Sequence, residues 1–131
     1  MYGMKEVCEK TGLTYETLKF YCNQGLIPNV KRDEKNRRVF DDRDIAWITG
    51  LQCLRNCNLG IQEMKEYLNL CLQGPSSLEE RLLFLDQKKE NLQQSIAELQ
   101  KGLDYIENKQ QLYRDMIDGK VPYRSNLIKV D

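Results

Sequence analysis

Residues 78–117 read LEERLLFLDQKKENLQQSIAELQKGLDYIENKQQLYRDMI. Stepping by four and three picks out Leu78, Leu82, Leu85, Lys89, Leu92, Ile96, Leu99, Leu103, Ile106, Gln110, Tyr113 and Ile117. Ten of these twelve positions are apolar, and no step breaks the pattern. A mean spacing near 3.5 residues keeps one stripe of an α-helix turned toward a partner helix. The intervening residues are mostly Glu, Gln, Lys and Asp, which suit water. No proline interrupts the run, and the interior Gly102 costs helix stability only modestly. At 1.5 Å per residue the helix spans roughly 60 Å, too long for the core of a small globule. About 75 residues precede it and 14 follow, so the seam is expected to find its partner in a second copy of the chain. The stretch reads as a dimerisation rod.

Around the rod, the bulk numbers exclude more than they assign. The 131 residues suit one small domain plus the rod, with a short tail after it. Twenty Lys and Arg balance twenty Asp and Glu, so any basic surface must be local. No apolar run approaches membrane-spanning length, and no signal peptide is expected at the N-terminus. Five cysteines, an odd number without the spacing of a secreted disulfide scaffold, suit a reducing cytoplasm. Histidine is absent. That removes the commonest general base and the most frequent metal ligand. Neither an enzyme nor a metal or other cofactor is expected.

Upstream of the rod, Met4, Val7 and Cys8 mark a short first helix to about Lys10, stopped by Thr11-Gly12. Thr14 is placed to cap a second helix, with Glu16 and Thr17 in its first turn. Leu18 and Tyr21 face inward at a spacing of three. Thr14, Tyr15, Thr17, Lys19, Phe20 and Asn23 are partly outward, and such side chains bond phosphates and base edges. Gly25 suits a left-handed cap, and Leu26-Ile27-Pro28 leaves in extended form. Two short helices with a tight glycine turn make a helix-turn-helix. Such helix pairs are common, and alone they say little.

Asn29–Phe40 carries Lys31, Arg32, Lys35, Arg37 and Arg38 against Asp33 and Glu34, a local charge of +3. Val30 and Val39-Phe40 bracket Asp33–Asn36, which reads as a hairpin with a loose tip. A basic hairpin beside a helix-turn-helix is a wing. Asp41 or Asp42 caps a third helix reaching about Cys57, with Ile45, Ile48, Leu51 and Leu54 inward. Asn58 suits the left-handed turn that follows. A fourth helix, Ile61–Leu72, stops at Gln73-Gly74-Pro75. Ser77 and Glu80 are placed as a capping box opening the rod. In the tail, Val121, Leu127, Ile128 and Val130 are expected to dock.

The residues Gly12-Leu13-Thr14, Thr17-Leu18-Lys19-Phe20-Tyr21, Gly25-Leu26-Ile27-Pro28 and Arg38-Val39-Phe40-Asp41-Asp42 carry a resemblance. In order and spacing, over nearly the whole chain, they resemble the mercury-resistance regulator (MerR) family of bacterial transcription factors. Departures are Lys19 for the family's usual arginine, which loses a bidentate fork, Phe20 and Phe40 for frequent tyrosines, and Cys22 for a common acidic residue. The resemblance implies a mostly α fold: a winged helix-turn-helix domain with two linking helices at 1–75, an antiparallel coiled-coil dimerisation helix at 76–118, and a tail at 119–131.

It further implies a cytoplasmic bacterial homodimer on an inverted repeat in double-stranded promoter DNA. RNA polymerase would be reached indirectly, through bending and untwisting of that DNA. The DNA-binding residues it marks are Thr14, Tyr15, Thr17, Lys19, Phe20, Tyr21, Arg37, Arg38 and Phe40. The dimer seam uses Leu82, Leu85, Leu92, Ile96, Leu99, Leu103, Ile106, Tyr113 and Ile117. With the rods antiparallel, one register uses the whole stripe: Leu78 with Ile117, Leu82 with Tyr113, Leu92 with Leu103, Ile96 with Leu99.

Family metal sensors carry cysteines beside the rod's end, and this sequence has none after Cys71. Fourteen residues after the rod are too few for a drug-sensing domain. Cys53-Leu54-Arg55 with Leu59 instead resembles the thiol-reactive branch of the family, linked to aldehyde, electrophile or nitrosative stress. Cys53 is the expected sensor, with Cys57 one turn on and on the same face. The two could equally be small packing residues. A constitutive architectural DNA-binding dimer is the alternative.

Overall fold

The computed structural model describes residues 1–129. The chain divides into two compact units, one from Met1 to Asp86 and one from Gln87 onward.

In the first unit, strand β1 (Tyr2–Gly3) leads into helix α1 (Met4–Thr11), and helix α2 (Tyr15–Asn23) follows. The turn between the helices is made by Gly12 at φ 77, a conformation that costs glycine nothing because it has no Cβ. Leu13 is buried beneath the turn, and Thr11 stabilises it by donating to the Val7 carbonyl at 2.7 Å. Gly25, at φ 73, reverses the chain after α2, and the Leu26 amide donates to the Tyr21 carbonyl at 3.0 Å. Leu26 and Ile27 then enter the core.

Strands β2 (Lys31–Arg32) and β3 (Arg38–Phe40) form the wing hairpin. β3 is central in a three-stranded antiparallel sheet, with Tyr2 opposite Phe40 and Lys31 opposite Val39. The N-terminal strand was not expected, since two residues carry no periodicity to read. Helix α3 (Asp42–Asn56) begins at Asp41, whose carboxylate accepts from the Asp44 amide at 2.8 Å. Asn58 ends it at φ 67, and helix α4 (Ile61–Leu72) follows. The core gathers Val7, Leu18, Tyr21, Leu26, Ile27, Phe40, Ile48, Leu51 and Met64 from the four helices, the turn after α2 and β3.

The long helix α5 (Leu78–Ile117) has forty residues. Its start differs from the expected capping box. Gly74–Ser77 forms a 3-10 turn that runs into α5, so Ser77 is not a free cap. Its buried hydroxyl donates to the Leu70 and Gly74 carbonyls and accepts from Arg81 Nε at 2.9 Å. Arg81 also donates to the Gly74 carbonyl at 2.6 Å. Trp47, Tyr67 and Phe84 stack in series at 6.2 and 5.7 Å between ring centres. These contacts carry the first unit through the opening turns of α5 to Asp86, beyond the boundary at 75 read from the sequence.

In the second unit no residue of α5 is buried. After Ile117 the chain reverses at Gly119, φ 74, and the Lys120 amide donates to the Asp115 carbonyl at 2.8 Å. Val121 is half-buried, while Leu127 and Ile128 are exposed. Val130 lies outside the described residues.

Candidate nucleic-acid interface

Helix α2 presents its polar edge. The Thr14 hydroxyl caps the helix by accepting from the Thr17 amide at 3.2 Å and donates to the Thr17 hydroxyl at 2.9 Å. Tyr15, Lys19 and Phe20 are exposed beyond it. Tyr15 and Lys19 lie four apart and share a face. A row of hydroxyl, ring and ammonium on one helix face matches the chemistry of base edges and phosphates.

The wing lies beside this helix and is not loose. Asp33 organises its tip, accepting from the Lys35 amide at 3.0 Å, the Arg37 amide at 2.8 Å and Arg37 Nε at 2.9 Å. These bonds, led by the Arg37 amide, hold the Asp33 carboxyl below its ordinary range. Asn36 supplies the left-handed turn at φ 60. Arg38 reaches across to α2 and donates to Asn23 Oδ1 at 2.7 Å, which ties wing to helix. A cleft of about 680 Å³ opens here, lined by Lys5, Tyr15, Arg32, Arg37 and Arg38, with Glu6 and Asp33 the acidic members. Four cations against two carboxylates leave a positive surface. Lys31, in contrast, belongs to the scaffold: its ammonium sits 3.0 Å from Asp41 and 3.4 Å from the buried Asp44.

Two expected DNA-binding residues are not on this surface. Phe40 is wholly buried and Tyr21 is 1% exposed. Both rings are core, because β3 and α2 turn those positions inward, as the spacing of Leu18 and Tyr21 already indicated. The family pattern alone could not separate a residue that touches DNA from one that supports it. Tyr21 keeps one polar feature, a buried hydroxyl with no hydrogen-bond partner.

Tyr21 also lines a second cleft of about 370 Å³, with Glu16, Thr17, Phe20, Arg55 and the Gly60-Ile61 start of α4. A helix N-terminus and an arginine beside an unsatisfied hydroxyl suit an anion such as a phosphate. Lys5, Arg32, Arg55 and this helix start line the clefts but were not among the expected site residues. They sit on four different elements, and only folding brings them to the two clefts.

The expected sensor lies apart from both clefts. Cys53 is exposed on α3, while Cys57, at the end of that helix, is half-buried and packs against the core. Burial raises the Cys8 and Cys22 thiols above their ordinary range, which disfavours the nucleophilic thiolate.

A helix-turn-helix, a basic wing and two further helices thus occupy the first unit in family order. The model of the MerR HTH family regulatory protein matches residues 2–71. The chain belongs to the MerR family. A HTH-type transcriptional regulator of Haemophilus influenzae is 37% identical over 113 residues, covering 86% of this chain and 84% of that protein. AdhR, a HTH-type transcriptional regulator of Bacillus subtilis, is 37% identical over 90 residues, 69% of this chain and 64% of that protein.

Among solved structures, HiNmlR, a MerR family regulator lacking the sensor domain, bound to promoter DNA, aligns at a TM-score of 0.79. It is 36% identical over 89% of this chain and 93% of that one. As a MerR-family protein, this chain is a DNA-binding transcriptional regulator and not an enzyme. Among the described residues no helix is long and apolar enough to cross a membrane.

Proposed function

We infer that this MerR-family regulator works as a homodimer on an inverted repeat in promoter DNA and responds to electrophile or redox stress through Cys53. One observation carries the dimer: α5 exposes Leu82, Leu85, Ile96, Leu99, Leu103, Ile106, Tyr113 and Ile117 along one stripe, with Leu92 half-buried between them. An uncovered stripe of that length is unstable in water and is relieved by an identical, antiparallel helix. Thr14, Tyr15, Thr17, Lys19 and Phe20 then face base edges and phosphates. Arg37 and Arg38 hold the flanking backbone, with Tyr21 and Phe40 supporting from beneath. The register of the rods sets the distance between the two α2 helices and hence the half-site spacing. RNA polymerase is served indirectly, by the shape the dimer imposes on the promoter.

Cys53 supports the sensing half of the reading because it is the exposed thiol among the five cysteines, which leaves it open to reagents from solvent. Its thiolate adds to an electrophilic carbon, and the added group on α3 tilts the DNA-reading head. Cys57, one turn on, is the candidate second thiol. A constitutive architectural dimer has no observation in its favour.

The test is a promoter reporter with Cys53→Ser. Loss of the electrophile response with operator binding intact is the expected result, and an unchanged response would remove Cys53 from the reading. Footprinting should show two symmetric half-sites. A single protected half-site at saturating protein would remove the inverted repeat.

A further inference from the structure

The second unit holds a cleft that neither the DNA-reading surface nor Cys53 uses. After Gly119 the tail comes back beside its own helix, and the two enclose about 440 Å³. The tail is ordered here by Ser125, whose Oγ accepts from the Leu127 and Ile128 amides at 3.0 and 3.1 Å. Tyr105 and Tyr113 from α5 and Tyr123 from the tail line the cleft with their rings, and Lys109 and Arg124 line it with positive charge. No carboxylate lines it. Neither cation forms a salt bridge among the described residues, and Lys109 Nζ lies 5.7 Å from the Tyr105 ring centre. The neighbours of Lys109 at three and four residues along the helix are Tyr105, Ile106, Leu112 and Tyr113, so no acidic side chain shares its face. Folding thus brings two like charges together and supplies nothing to offset their repulsion.

We propose that this cleft binds a small aromatic carboxylate. The carboxylate supplies the negative charge that both cations lack, and the planar fork of Arg124 can take its two oxygens at once. The aromatic ring suits the three tyrosines, which pair with it offset or edge-on. A simple inorganic or aliphatic anion satisfies the cations and leaves the rings wet, and an uncharged arene does the reverse. The volume falls within the range of small-molecule sites, about 300–1,000 Å³. A carboxylate held by Lys109 and Arg124 together also fastens the tail to its helix. The site lies wholly in the second unit, and its chemistry is independent of Cys53.

Benzoate is titrated into the full chain by calorimetry, with acetate and benzyl alcohol as controls. Benzoate should bind at one equivalent per chain and about tenfold or more tightly than either control. Arg124→Gln and Tyr123→Ala, both at exposed positions, should each weaken it about tenfold without loss of helical dichroism, and Cys53→Ser should leave it unchanged. Amide exchange at Leu127 and Ile128 should slow on saturation. Absence of benzoate binding, binding no tighter than that of acetate, or binding that Arg124→Gln leaves intact would each overturn the proposal. So would weaker dimerisation of Arg124→Gln in sedimentation equilibrium without benzoate, because a carboxylate of the second copy would then be the occupant of the cleft.

Discussion

The head, Met1–Asp86, and the rod that follows are built from similar fractions of leucine and isoleucine put to opposite uses. In the head twelve apolar residues are buried, seven of them on helices only eight to fifteen residues long. In the rod a forty-residue helix buries none. Several short helices can enclose a volume, whereas one long helix offers only a line. The head therefore carries its own stability, and in the proposed dimer the rod gains its stability from association. Isolated helices gain little from propensity and much from packing an apolar face.

That contrast is open to test from both sides. The largest effect is expected in the head, where Phe40→Ala should cost about 3–5 kcal/mol in denaturant unfolding, as for other buried aromatic truncations. A loss under 1 kcal/mol would mean the core does not depend on the sheet. Next comes the rod. Ile96→Asp should weaken dimerisation on the order of a hundredfold, yet leave the near-ultraviolet dichroism of Trp47 in place. Collapse of that signal would show that the head needs the dimer to fold, and the contrast would fail.

Tyr21→Phe sharpens the comparison within the head. It removes a buried hydroxyl that has no partner, so the free protein should gain up to about 1 kcal/mol. DNA binding should weaken about tenfold if a phosphate is the missing partner. A stability loss instead would mean the hydroxyl is bonded in solution.

The smallest effect is at the wing's base. Hydrogen bonding from the Asp44 amide, then from Lys31, lowers the Asp41 carboxyl from 3.8 to about 2. A depressed acid stabilises the fold above its unfolded value and loses that contribution as pH falls through its folded value. Head stability should therefore decline from pH 3.8 toward about 2, and Asp41→Asn should flatten that slope in acid titrations. An unaltered slope would assign the acid sensitivity to other carboxylates.

Much of the architecture was legible because it depends on neighbours in sequence. The caps at Thr14 and Asp41, the left-handed turns at Gly12, Gly25 and Asn58, and the span Ile61–Leu72 are local matters, and the residues there have few alternatives. The interface was legible only in part. Phe20 and Tyr21 are adjacent aromatic residues in a family motif, yet one faces solvent and the other the core. The Asp33 knot that stiffens the wing depends on three bonds back to one carboxylate, and a run of polar residues does not disclose them. Ser77 read as a cap because its neighbours fit one, but its hydroxyl found the Leu70 and Gly74 carbonyls instead.

The sequence by itself determined the order of the helices and the wing hairpin, the long helix and its stripe, and the family, since periodicity, capping and motif spacing act over one or two turns. Tertiary structure decided that Phe40 is buried, whereas the inward turn of Tyr21 was already indicated by its spacing from Leu18. It also committed Lys31 to Asp41 and Asp44, and it brought Lys5 and Arg55 into clefts with residues far from them in sequence. Burial and electrostatics are sums over everything nearby in space, and proximity in space exists only after the chain has folded.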